Sequence, residues 1–285
     1  MLLSILIYSL VKIKKYQDAK NLFDEYAFDT KNSIFPFNFL KCKVFYLLGN
    51  VSDSINLLYE MLEMYESFND TNNNNNENNE NNNNVVYIET FDSEFFALSN
   101  FFVYLFSINN IDTKIKKIYF EIKMSFLTLN FEEKAYETIL NLEKKYPNDI
   151  QIIFEVTKMS ISMSQFKKFN AGLEKLKNLK ENNTYENNKT LINNYINILE
   201  SLHLFISKNY EECMNKQKQS LLNEQSDAIY LNNMSLINIY INKPDVCHRG
   251  LIAIADKNKI DFNNEVIQYN FEILNKMFLL PKYNP

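Results

Sequence analysis

Small and apolar residues recur at helical intervals in the segment 131–147, FEEKAYETILNLEKKYP. Ala135, Ile139 and Leu142 fall on one face of a helix, and Pro147 ends the pattern. Apolar residues at positions 119, 122 and 126 form the stripe of an earlier helix. Because a small residue allows two helices to approach closely, the spacing predicts an antiparallel pair of helices joined by a short turn.

The same pattern returns along the chain with a period of 34 or 35 residues. The position of Ala135 corresponds to Phe169 one period later, and Cys213 and Cys247 are again 34 residues apart. Near the start, the segments 16–19 and 51–54 are 35 residues apart. A period of this length is typical of the tetratricopeptide repeat. The pattern therefore predicts an all-α fold, a tetratricopeptide-like helical-hairpin solenoid of roughly five hairpins with a C-terminal capping helix.

Two asparagine-rich stretches interrupt the repeats. Twelve of the sixteen residues from 69 to 84 are asparagine and none is apolar, which predicts a disordered insertion. A shorter stretch, 181–189, accounts for the interval of 44 residues between Phe169 and Cys213. We therefore expect N-terminal repeats in residues 1–68, the insertion in residues 69–84, and the remaining repeats with the capping helix in residues 85–285. Together the repeats should form one continuous solenoid.

The composition fits an all-helical chain and argues against several functions. Three glycines and five prolines in 285 residues are few for the turns of a barrel, a sandwich or a Rossmann fold. A net charge of −5 and a single arginine, Arg249, are unfavourable for binding nucleic acid or an anionic membrane. Three widely spaced cysteines fit a reducing compartment. No apolar run is long enough to span a bilayer, so we expect a cytoplasmic protein.

Few residues in the chain could carry out chemistry. His203 lies within the apolar pattern LESLHLFI, where packing explains it better than catalysis. Cys247, beside His248, occupies the small-residue position of its repeat and should be buried rather than reactive. The glycines are isolated, so the sequence has no phosphate-binding glycine loop. We expect no enzymatic activity, no cofactor, and neither catalytic nor metal-binding residues.

Residues 33–61, SIFPFNFLKCKVFYLLGNVSDSINLLYEM, resemble a known family. The Pro-Phe pair, the helical pattern ending in Leu-Gly-Asn and the apolar helix that follows are similar to subunit 12 of trafficking protein particle complexes. Residues 231–240 and 265–280 are similar to the last repeat and the closing helix of that family, although the order at Asn270-Phe271 is reversed. The resemblance implies a scaffold subunit of a vesicle-tethering complex in endoplasmic reticulum-to-Golgi transport, with autophagy as a further process.

The resemblance also implies the partners and the location of the protein. The partners would be other subunits of a trafficking protein particle complex. The chain would lie in the cytoplasm, peripheral to endoplasmic reticulum and Golgi membranes through that complex and without inserting into them. The alternative function is a generic tetratricopeptide adaptor in another assembly, such as a co-chaperone or a cell-cycle complex.

Two surfaces are candidates for binding a protein. The first is an aromatic groove expected along the first helices of the hairpins. Its candidate residues are Phe120, Met124, Phe154, Lys158, Leu202, Phe205 and Asn232. The second is the connector around Phe35, Pro36 and Phe37, where a proline stiffens a segment rich in aromatic residues. For both surfaces, the alternative is that the same side chains pack inside the fold.

Overall fold

The computed structural model describes residues 2–26, 35–73, 110–221, 228–247 and 249–250. Within these ranges the regular structure is helical and contains no strand. The helices are α1 (Leu2–Lys12), α2 (Tyr16–Glu25), α3 (Phe35–Leu47), α4 (Val51–Asn73), α5 (Ile111–Thr128), α6 (Glu132–Lys145), α7 (Ile150–Ser162), α8 (Phe166–Glu181), α9 (Lys189–Ile206), α10 (Tyr210–Leu221) and α11 (Ala228–Tyr240). A 3₁₀-helix, Asn183–Asn188, precedes α9.

The chain divides into two compact units, residues 1–166 and residues 167–285. In the first unit, helices that are neighbours in sequence pack on each other, from α1 on α2 through to α6 on α7. In the second unit, α9 packs on α10, α10 packs on α11, and the 3₁₀-helix contacts α9. Packing between sequence neighbours is typical of stacked helical hairpins.

One turn geometry recurs between the two helices of a hairpin. Its central residue has a left-handed backbone, with φ between 56° and 81°. These residues are Lys14, Gly49, Asn130, Ser164, Lys208 and Asn242. The N–H of the residue that follows bonds to the carbonyl five positions back in the helix, as Phe131 N does to Phe126 O at 2.9 Å. This is the Schellman motif, which satisfies the last carbonyls of a helix.

The position five residues after each left-handed residue is buried. The side chains at this position are Ala19, Ser54, Ala135, Phe169, Cys213 and Cys247. Three of the intervals between them are 34 or 35 residues, the period found in the sequence, and the interval before Cys213 is the longer one of 44 residues. The interval from Ser54 to Ala135 is 81 residues and includes the first asparagine-rich stretch. The burial of Ala135, Cys213 and Cys247 confirms the small-residue positions predicted for the repeat.

Hydrogen bonds show how this buried position contacts the first helix of a hairpin. Ser54 Oγ donates to the carbonyl oxygen of Cys42 at 2.9 Å. Cys213 Sγ donates to the carbonyl oxygen of Ser201 at 3.2 Å. In both hairpins the acceptor lies twelve residues before the donor. The two units therefore use the same close approach between paired helices.

The predicted insertions differ from the structure in part. Helix α4 continues to Asn73, so residues 69–73 are helical rather than part of a disordered insertion. Once a helix has formed, each further residue that joins it adds one hydrogen bond, so asparagine residues can continue an existing helix. Residues 183–188 of the shorter stretch form the 3₁₀-helix. Residues 74–84 and the predicted C-terminal capping helix lie outside the described residues.

The fold class is all-α, and its hairpins are tetratricopeptide-like. The recurring Schellman turn, the buried position that follows it and the period of 34 to 35 residues together confirm this prediction. In the described part of the chain, no helix has both the length and the hydropathy needed to cross a membrane.

Candidate protein-binding surfaces

The proline–phenylalanine connector forms the first turn of α3, and Phe35, Pro36 and Phe37 are all buried. The ring of Phe37 meets Phe23 of α2 edge-on, with centroids 4.9 Å apart. The ring of Phe35 lies 5.6 Å from that of Tyr65 on α4. The expectation of exposed aromatic rings at this connector is therefore wrong. The connector residues belong to the first turn of α3, and their rings pack into the core between α2, α3 and α4.

The groove predicted on the first unit is more closely packed and more polar than expected. Phe120 and Phe154 are buried, and Met124 is half-buried. Lys158 keeps 41% of its side chain exposed. Its Nζ lies 5.3 Å from the centre of the Phe154 ring. The lysine side chain therefore covers the aromatic ring.

Glu155 connects two lysines in this region, and sequence reasoning did not identify it. Its Oε2 lies 2.8 Å from Lys123 Nζ on α5, and its Oε1 lies 2.8 Å from Lys158 Nζ on α7. The available signal was Lys123, because the repeat usually has a small residue at this position. The network joins α5 to α7 at a position where the sequence predicted an apolar groove.

The lysines control the ionisation of Glu155. Burial by itself would raise the pKa of its carboxyl group, but the positive charges of Lys158 and Lys123 outweigh this effect and lower the pKa to about 2. Glu155 is therefore ionised at neutral pH and is compensated within the fold. We interpret the network as structural, since its charges satisfy one another.

In the second unit, Phe205 belongs to a group of three aromatic rings. Its ring centre lies 4.9 Å from that of Tyr240 and 5.4 Å from that of Tyr210. The two tyrosine rings are 5.1 Å apart. Tyr240 is 54% exposed to solvent. Since Phe205, Tyr210 and Tyr240 lie beside the hairpin turns of α9, α10 and α11, we call them the turn-edge aromatic cluster.

Sequence reasoning identified Phe205 but neither tyrosine of this cluster. The other two candidates on this unit contribute less exposed surface, because Leu202 is half-buried and Asn232 is buried. A signal for the cluster did exist in the repeat frame. Ile206 and Tyr240 are 34 residues apart, each precedes a left-handed turn residue by two positions, and both are exposed.

A cleft of about 550 Å³ lies between α8, α9 and α10 in the second unit. Phe169 and His203 line it, with ring centroids 5.4 Å apart, so this histidine packs against an aromatic ring. Glu200 accepts hydrogen bonds from Lys177 and Lys216 at 2.8 and 2.5 Å. Burial by itself would raise the pKa of the Glu200 carboxyl group. The two lysines lower this pKa by more than burial raises it, so the net shift is downward. The cleft therefore combines an aromatic wall with charges that neutralise one another.

The cysteines show no sign of an activated thiol. Cys42, Cys213 and Cys247 are buried and not in disulfides. Burial raises the pKa of each thiol, to about 11 for Cys247. No group of three or more His, Cys, Asp or Glu side chains that could hold a metal occurs in the described ranges. His248 lies outside them.

Comparisons with known proteins supply no family for this chain. No protein-family model matches it, and no curated protein matches it. One solved structure that is similar is the crystal structure of the APC/C hetero-tetramer Cut9–Hcn1, with 13% sequence identity and a TM-score of 0.40. The alignment covers 94% of this chain and 47% of that chain, so this chain spans about half the length of the other. The fold class rests on the repeated turn geometry and burial described above.

Proposed function

We propose that this chain is a non-catalytic scaffold that binds other proteins through the exposed edges of its hairpins. The turn-edge aromatic cluster carries the proposal. Tyrosine and phenylalanine rings offer a large contact area with little conformational freedom to lose, and tyrosine adds a hydroxyl group for hydrogen bonding. Tyr240 is the most exposed ring of the cluster and is the expected anchor.

The finer proposal concerns the complex to which the scaffold belongs. The resemblance of residues 33–61 supports a vesicle-tethering complex of the trafficking protein particle type, acting in endoplasmic reticulum-to-Golgi transport. The chain would then reach the membrane through its partner subunits. The second candidate is an adaptor in another assembly, such as a co-chaperone or cell-cycle complex, which the repeat architecture alone also supports.

Affinity purification of the tagged full chain from cells, with quantitative mass spectrometry, tests both levels of the proposal. Tyr240→Ser removes the exposed ring from the cluster. Phe131→Ser is the matched control, because Phe131 is 50% exposed beside a hairpin turn of the first unit. We expect Tyr240→Ser to lose partner proteins several-fold while its melting curve stays cooperative, and Phe131→Ser to retain them.

The identity of the lost partners separates the two levels. Vesicle-tethering subunits that bind the parent chain but not Tyr240→Ser would support both the scaffold and its proposed complex. Subunits of a different assembly, lost in the same way, would support the scaffold and contradict the vesicle-tethering function. A folded Tyr240→Ser variant that keeps every partner would contradict the cluster as the interface.

A further inference from the structure

The cleft of the second unit has α9 as its floor and α8 and α10 as its walls. At one end, Glu200 on α9 binds Lys177 of α8 and Lys216 of α10, so this ion network ties both walls to the floor. The cleft volume of about 550 Å³ lies within the range of about 300–1,000 Å³ that is typical of ligand sites. The cleft is therefore large enough to hold a side chain from another molecule.

A second carboxylate, that of Glu212, lines the cleft one helical turn from Lys216. Its Oε2 accepts a hydrogen bond from Asn209 Nδ2 at 2.5 Å. In the part of the chain that the structure describes, Glu212 forms no ion pair and its Oε1 accepts no hydrogen bond. Since Lys216 is bound to Glu200, the cleft presents one negative charge without a cation beside it.

Two asparagines line the cleft from opposite walls, Asn170 on α8 and Asn215 on α10. Both are exposed, and neither side-chain amide forms a hydrogen bond within the described ranges. Between them, His203 of the floor is exposed and lies over the ring of Phe169, with the two ring planes tilted by 32°. The cleft therefore combines a carboxylate, two amide oxygens and the face of an aromatic ring.

We propose that this cleft binds an arginine side chain of a partner protein. In the bound state, the guanidinium group lies on the His203 ring and donates hydrogen bonds to Glu212 and to the two amide oxygens. The methylene groups of the arginine contact Leu173 and Leu204, which also line the cleft. The inference rests on the proposed scaffold function, but it uses a surface separate from the turn-edge aromatic cluster.

The distribution of acceptors favours arginine over the other charged side chains. The guanidinium group has five N–H donors in a plane, so it can serve several acceptors while its face stacks on a ring. The ammonium group of lysine is compact and more strongly hydrated, and therefore gains less in such a site. An acidic side chain would be repelled by Glu212.

NMR titration of the purified full chain tests the proposal with a blocked tripeptide, Ala-Arg-Ala. The chain has two histidines, so His203→Gln assigns the imidazole signals of His203. We expect a saturable shift of these signals. A tripeptide with citrulline in place of arginine has nearly the same shape without the charge, and it should bind at least about tenfold more weakly. The tripeptide Ala-Lys-Ala should bind several-fold more weakly.

Two neighbouring carboxylates provide a matched pair of variants. Glu212→Gln keeps the size of the side chain and the acceptor for Asn209 but removes the charge, and it should weaken Ala-Arg-Ala binding at least about fivefold. Glu211→Gln removes an exposed carboxylate from the same turn of α10, outside the cleft lining, and should bind as the parent does. Melting curves confirm that each variant is folded.

Several results would overturn the inference. They are the lack of a saturable shift with Ala-Arg-Ala, equal binding of the citrulline or the lysine tripeptide, and equal binding by the two glutamine variants. Tyr240→Ser should leave tripeptide binding unchanged, and loss of the shift in this folded variant would also overturn the inference. The proposed function instead concerns the partner proteins that Tyr240→Ser loses, so the two proposals can fail separately.

Discussion

Lys123 on α5 and Glu155 on α7 form a buried ion pair, with Nζ and Oε2 2.8 Å apart. Helix α6 lies between these two helices in the sequence. The ion pair therefore joins two helices that are not neighbours in the chain. The attraction between the two buried charges is opposed by the free-energy cost of removing both charges from water. The stability of this region should therefore depend strongly on having both partners present.

Removing the carboxylate should destabilise the first unit. Glu155→Gln leaves Lys123 buried without its counter-ion, and we expect the free energy of unfolding to fall by about 3–5 kcal/mol. Urea unfolding followed by circular dichroism measures the change. Glu63→Gln removes an exposed carboxylate from α4 and should change the value by less than about 0.5 kcal/mol. Equal effects of the two substitutions would mean that the pair contributes nothing specific.

Acid should remove the contribution of Glu155. Its pKa is lowered from 4.5 to about 2 in the folded protein, so the stabilisation is complete above pH 4.5 and is lost as the pH falls towards 2. The difference in unfolding free energy between the parent and Glu155→Gln should be constant above pH 4.5 and should shrink below it. A difference that does not vary with pH would contradict the lowered pKa.

The buried small-residue position should not accept a larger side chain. Ala135→Leu adds volume where α6 approaches the preceding helix, and overpacking should cost about 1–3 kcal/mol of unfolding free energy. Ala171→Leu makes the same change at an exposed position of α8 and serves as the control. Thermal unfolding of both variants measures the effect. An Ala135→Leu variant as stable as Ala171→Leu would show that this position tolerates the added volume.

The left-handed turns give a pair of substitutions with opposite expected signs. Gly49 has φ of 81°, and a Cβ atom there would meet no atom within 4 Å, so Gly49→Ala is unfavourable only through its backbone, by about 1–2 kcal/mol. Lys14 has φ of 61° in the equivalent turn, and Lys14→Gly should stabilise by about 1 kcal/mol. Both changes can be measured by thermal unfolding. Melting temperatures that move in the same direction would refute the argument.

The sequence alone was sufficient to predict the hairpins and their frame. Helix spacing, the helix-ending turn and the small residue that follows it are local features within a single period. For this reason the spacing was enough to assign Ala135, Cys213 and Cys247 to buried positions. The same reasoning predicted Phe205 as a surface candidate, because its position within the repeat is also a local property.

Only the tertiary structure decided which aromatic and charged side chains meet. Phe37 on α3 and Tyr240 on α11 are both aromatic, yet Phe37 is buried against Phe23, and Tyr240 remains exposed beside Phe205. Burial depends on which other helices cover a residue, and those helices are distant in the chain. The pairing of Lys123 with Glu155 was hidden for the same reason, since proximity across separate helices is not encoded in local spacing.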